Sequence, residues 1–125
     1  MLLLGIAAMG AIGACLRFYF GQRIRWNAAK DFPFATLVIN VTGSALLGML
    51  WSMYELNAIG ELLWQLLGTG LLGAYTTFST FSYELFSLLQ KKRIIAASLY
   101  LLATVVLGIV AAASARVIVH MVALN

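Results

Sequence analysis

Gly68-Thr-Gly70-Leu-Leu-Gly73-Ala-Tyr-Thr76-Thr77-Phe78-Ser79-Thr80-Phe81-Ser82-Tyr-Glu84 lies inside an apolar stretch that runs from Leu62 to Leu89. A straight membrane helix needs about 20 apolar residues, so this stretch is longer than one crossing requires. Three glycines lead into a run in which five hydroxyls and two phenylalanines share the seven residues from Thr76 to Ser82. Glycines weaken a helix and hydroxyls offer partners to freed backbone groups, so the stretch reads as a transmembrane helix broken near its middle.

Outward from that stretch, charged and proline-bearing clusters mark off three more apolar segments, at about 2–20, 35–54 and 94–119. With 62–89 they give an all-α membrane protein of four transmembrane helices, one domain spanning 1–125. Composition agrees. A chain of 125 residues that is 63% hydrophobic and 10% charged, with mean hydropathy +0.99, carries more apolar side chain than a small core can bury, which excludes a soluble globular domain. The apolar runs are continuous and long, whereas transmembrane strands alternate, so a barrel is excluded as well. The start, Met1-Leu-Leu-Leu4-Gly5, lacks a basic leader and reads as a first span, not as a cleaved signal peptide. Cys15 has no second cysteine to pair with, and His120 has no histidine companion for a metal site. With no nucleophilic or metal-binding constellation, the sequence does not read as an enzyme.

Charge follows topology. The connection after the first span carries Arg23, Arg25 and Lys30, and the one before the fourth carries Lys91, Lys92 and Arg93; the connection between them has only Glu55 and Glu61. Six Lys/Arg on one side against Arg116 on the other predict a plasma-membrane protein whose first and third loops are cytoplasmic. Small residues one turn apart recur as Gly10 with Ala14, Ser44 with Gly48, Gly73 with Thr77, and Gly108 with Ala112, spacing that permits close helix approach.

Two sets of polar residues fall at membrane depth. Thr36, Asn40 and Ser44 share one helical face, where the Asn40 amide offers two N–H donors to an anion or a hydrogen bond to a neighbouring helix. The second set is the hydroxyl and phenylalanine run. Apart from Arg17 toward the end of the first span, fixed positive charge is absent at depth, and Glu84 is the one acid there. What remains are weak neutral donors: hydroxyls, an amide, and the electropositive ring edges of Phe78 and Phe81, which sit one turn apart, a spacing that far more often serves packing than ion binding.

The strings Gly10-Ala-Ile-Gly13-Ala-Cys-Leu-Arg17, Thr36-Leu-Val-Ile-Asn40-Val-Thr-Gly43 and Gly73-Ala-Tyr-Thr76-Thr77-Phe78-Ser79-Thr80-Phe81-Ser82-Tyr-Glu84 occur in order along the chain. In them the sequence resembles the Fluc (CrcB-type) fluoride channel family. The resemblance implies an antiparallel dimer of four-helix subunits with two fluoride pores and a structural sodium ion (Na+) at the centre. Such a channel passively exports fluoride that has entered the cell as uncharged hydrogen fluoride. By motif position, Phe78 and Phe81 correspond to the pore aromatics, Asn40 to the pore asparagine, and Ser79, Thr80, Ser82, Tyr100 and Thr104 to the polar track. Arg17 corresponds to an arginine near a pore mouth. Gly73 and Thr76 correspond to the residues whose backbone carbonyls hold sodium, with the glycine permitting unwound backbone.

Subunits that insert in both orientations show little Lys/Arg bias, so the bias here leaves two partners open: a second copy, or an oppositely oriented homologue. A small proton-coupled multidrug exporter shares the size and helix count, but needs a buried acid in its first helix, which this sequence lacks.

Overall fold

The computed structural model describes residues 1–24 and 32–124. Arg25 and Lys30, expected in the basic first loop, lie outside the described residues. The chain is all-helical: α1 (Leu2–Arg23), α2 (Phe34–Glu55), α3 (61–75), α4 (Phe78–Gln90) and α5 (Ile94–Ala123), with α3 and α4 together forming the broken third segment. By length and composition α1, α2 and α5 can each cross a membrane. At 30 residues and 1.5 Å per residue, α5 is about 45 Å long, well beyond a hydrocarbon core of about 30 Å.

The helix ends follow from local chemistry. Before α2, Pro33 contributes its carbonyl to the Leu37 N–H, at 3.2 Å. The ends of α2 and α4 share one device: Asn57 and Lys92, both at φ 56°, turn the chain left-handed. The N–H of Ala58 then closes on the carbonyl of Met53, and that of Arg93 on Leu88, at 2.9 Å each. Within α3, a turn of α-helix (Glu61–Trp64) widens into π-helix (Gln65–Leu72) before narrowing again over Gly73–Tyr75.

Small residues set the packing. Ser44 and Gly48 of α2 face Gly108 and Ala112 of α5, so two of the small-residue pairs meet each other. A side chain on Gly48 would overlap the Ala112 carbonyl, and one on Gly13 of α1 the Leu71 carbonyl of α3. Only glycine allows these backbones to approach so closely. The pair Gly73 and Thr77 behaves differently, since the chain breaks between them and they share no helical face. The buried apolar residues form two clusters around that break: Leu37, Phe81, Leu88, Ala97 and Tyr100 on one side, and Ile39, Leu72 and Tyr75 on the other. Large apolar side chains such as Leu3, Phe18, Ile109 and Val122 are exposed on the outer faces, as lipid contact requires.

The two ends of the bundle differ. Gln22, Pro33 and Lys91 line one common cavity, which places the close of α1, the start of α2 and the α4–α5 turn at one end. At the other end, Arg116 of α5 is ion-paired with Glu55 of α2. Nearby, Trp51, Tyr54 and Trp64 pack ring to ring at 5.2 to 6.0 Å, a cluster suited to the membrane–water boundary.

Candidate ion path

The break consists of two residues. Thr76 (φ −74°, ψ 160°) and Thr77 (φ −147°, ψ 124°) are extended, while Gly73 (φ −61°, ψ −32°) is helical. The expected unwinding at Gly73 is thus corrected to the threonine pair three residues on. β-Branched threonines suit extended backbone, and the freed peptide groups of Thr77 find partners across the helix interface.

Asn40 supplies most of those partners. Its Oδ1 accepts the Thr77 N–H at 2.9 Å, and its Nδ2 donates to the Thr77 carbonyl at 3.0 Å, so one side-chain amide satisfies both backbone groups of one residue. This is the interhelical bond allowed for Asn40 from the sequence; its second Nδ2–H has no partner among the described residues. Because the Thr77 N–H is taken, it does not close the helical bond onto the Gly73 carbonyl four residues back, and Gly73 borders a cleft. Arg17 of α1 extends Nη1 to the Thr76 carbonyl at 3.4 Å. The Thr76 hydroxyl turns back onto the Leu72 carbonyl at 3.0 Å.

The Thr77 hydroxyl caps α4. It accepts the Thr80 N–H at 3.2 Å and donates to the Thr80 hydroxyl at 3.1 Å, with the Ser79 hydroxyl 3.3 Å away. The carbonyl end of α3 and the N–H end of α4 therefore meet at one depth. The first favours a cation and the second an anion.

Two open clefts touch the break. The smaller, about 370 Å³, is bordered by Asn40, Ser44, Gly73, Thr76, Phe78, Phe81 and Thr104. The larger, about 1110 Å³, opens toward the α4–α5 turn and is bordered by Arg17, Thr36, Thr80, Glu84, Ser87 and Lys91. Thr77 lines both, so it is the joint between them.

The structure therefore brings together Asn40, Phe78, Phe81, Thr104, Gly73 and Thr76 around one cleft, and Arg17 and Thr80 around the other. Ser79 and Ser82 line neither. The two phenylalanine rings lie 6.0 Å apart at 42°. Phe81 is buried against Tyr100, centroids 5.1 Å apart, whereas Phe78 is 79% exposed. Tyr100 is fully buried and donates its hydroxyl to Glu84 Oε2 at 2.8 Å. Thr104 spends its hydroxyl proton on the Tyr100 carbonyl at 2.7 Å, and so presents an acceptor, not a donor, to the cleft. Sequence reasoning left Glu84 without a role and did not foresee the Thr42 hydroxyl beside the Tyr75 hydroxyl, 3.1 Å away, which ties α2 to the last turn of α3. The four-residue spacing of Thr36 and Asn40 was the one available signal that α2 turns a polar face to the break.

An all-helical chain with three membrane-length helices, a fourth segment broken at depth, and polar side chains gathered at the break defines a small multi-pass membrane protein. Residues 4–116 match the family described as CrcB-like protein, Camphor Resistance (CrcB), and the chain belongs to that family. It is similar to the fluoride-specific ion channel FluC of Shewanella amazonensis, 47% identical over 102 residues that make up 82% of each chain. The fluoride-specific ion channel FluC 2 of Clostridium acetobutylicum is 40% identical over 107 residues, 86% of each chain. The fluoride-specific ion channel FluC of Idiomarina loihiensis is 39% identical over 113 residues, 90% of this chain and 88% of that one.

Proposed function

We propose that this protein is a passive fluoride channel, not an enzyme, working as an antiparallel dimer in the plasma membrane. The observation that carries the reading is the Asn40–Thr77 clamp, which holds the α4 N-terminus open beside Phe78 and Phe81 in a cleft without fixed charge. The names of its relatives support fluoride as the ion. Donors of this kind replace part of a small anion's water shell without trapping it. The spare Nδ2–H of Asn40, the ring edges of Phe78 and Phe81 and the first N–H groups of α4 receive the ion. Thr77 and Thr80 then pass it toward the wide cleft, where Arg17 and Lys91 raise the local anion concentration. The Tyr100–Glu84 bond ties α4 to α5 beside this track.

One subunit does not enclose the path. Lipid cannot satisfy polar groups, so the open cleft with Asn40, Ser44 and exposed Phe78 must be covered by a second subunit. A structural sodium belongs to the same reading: Gly73 and Thr76, whose carbonyls would hold it, border this cleft at the negative end of α3. Two subunits would contribute four such oxygens, and the ion would neutralise the opposed carbonyl ends.

Efflux from liposomes tests the reading. Protein reconstituted in vesicles should release fluoride rapidly and chloride negligibly, with no imposed proton gradient. Equal release of both anions, or release only when protons are driven, would overturn it.

A further inference from the structure

Three threonines near the break commit their hydroxyl protons to their own helices. Thr42 donates to the Val38 carbonyl at 2.7 Å, Thr76 to that of Leu72 at 3.0 Å and Thr104 to that of Tyr100 at 2.7 Å, each onto the residue four places back. This is the ordinary way in which a hydroxyl settles in a helix shielded from water. Ser44 does not follow it. Its side chain is half-buried, borders the smaller cleft together with Asn40, and has no hydrogen-bond partner among the described residues. Across the α2–α5 contact its neighbour is Gly108, where a Cβ atom would stand 3.4 Å from the Ser44 oxygen, so the absent side chain leaves room beside the hydroxyl.

The cleft therefore has two walls of opposite character. On α2, Asn40 keeps a spare Nδ2–H and Ser44, one turn on, keeps its O–H. On α5, Thr104 has spent its proton and offers only oxygen lone pairs. The first wall attracts an anion and the second repels it. Side chains one turn apart have Cβ atoms about 5–6 Å from each other. Two short hydrogen bonds to an anion, about 2.5–2.7 Å each, span such an interval. From this we infer that Ser44 is a fluoride ligand, its hydroxyl and the spare N–H of Asn40 bracketing one ion against the α2 wall. The inference rests on the channel reading above and extends it in the direction where that reading has no donor. The donors already assigned run from Asn40 toward the wide cleft, whereas Ser44 lies one turn beyond Asn40, on the side of Gly48 and Glu55. An ion crossing that side meets Ser44 before the amide, and the two are separated by a single helical turn.

Ser44→Ala in the full chain tests this directly, because the hydroxyl supports no bond of the fold. Thermal unfolding in detergent should stay at the temperature of the natural protein. Fluoride release from liposomes should fall about tenfold or more at the lowest fluoride concentrations, the factor that a hydrogen bond to an ion contributes to binding. The deficit should narrow as fluoride is raised, since a weakened site still fills at high concentration. Release equal to that of the natural protein overturns the proposal. So does a deficit of the same size at every concentration, which marks altered access and not a lost ligand, and so does a lowered unfolding temperature, which makes the hydroxyl structural. The natural protein, measured beside the variant, keeps the two readings apart. If it releases fluoride and Ser44→Ala is indistinguishable from it, the Ser44 assignment falls alone; if it releases none, the channel reading falls and takes the assignment with it.

Discussion

Asn40 acts through two bonds of different polarity, and that distinction is measurable. Asn40→Asp keeps the acceptor for the Thr77 N–H but removes the donor to the Thr77 carbonyl, setting a carboxylate against a carbonyl oxygen. An unmet buried group costs about 1–3 kcal/mol, so the variant should lose about that much stability in detergent, read by thermal unfolding, and its fluoride efflux should collapse. Phe78 and Phe81 should separate stability from conduction. Phe78→Ile touches an exposed ring and should leave unfolding within about 0.5 kcal/mol of the natural protein, while reducing flux. Phe81→Ile removes contact with Tyr100 and should lower both. If flux survives both substitutions, the two rings do not line the path.

At the scale of elements, the four apolar segments were legible because hydrophobic length and charge punctuation are local properties of the chain. The residue at which the third segment opens was not. Gly73 carries the sequence signal for flexible backbone, yet it stays helical, because opening is decided by where a partner waits, and the Asn40 amide reaches Thr77 from 37 residues away. The Tyr100–Glu84 bond was hidden for the same reason, since it joins two helices whose registration no periodicity specifies. The capping role of Thr77 gives a further expectation. Thr77→Val preserves shape and extended preference but loses the bonds to Thr80, and should cost about 0.5–2 kcal/mol in thermal unfolding. At the crossing of α2 and α5, Gly48→Leu should push the helices apart at Ala112 and destabilise by more than the capping variant, whereas the same change at Gly60, which meets nothing within 4 Å, should be nearly silent.

For the molecule as a whole, the interrupted segment also bears on how the protein is made. A helical hairpin that crosses the membrane can complete its own backbone bonds as it leaves the ribosome, but α3 and α4 cannot, because Thr77 needs an amide from another helix. That helix, α2, precedes them in the chain and is synthesised first. Biogenesis thus acquires a direction: the earlier span is the template on which the later one settles, and a circular permutant that delivers α3 and α4 before α2 should stall at insertion or be degraded, even though every contact of the finished bundle is still encoded.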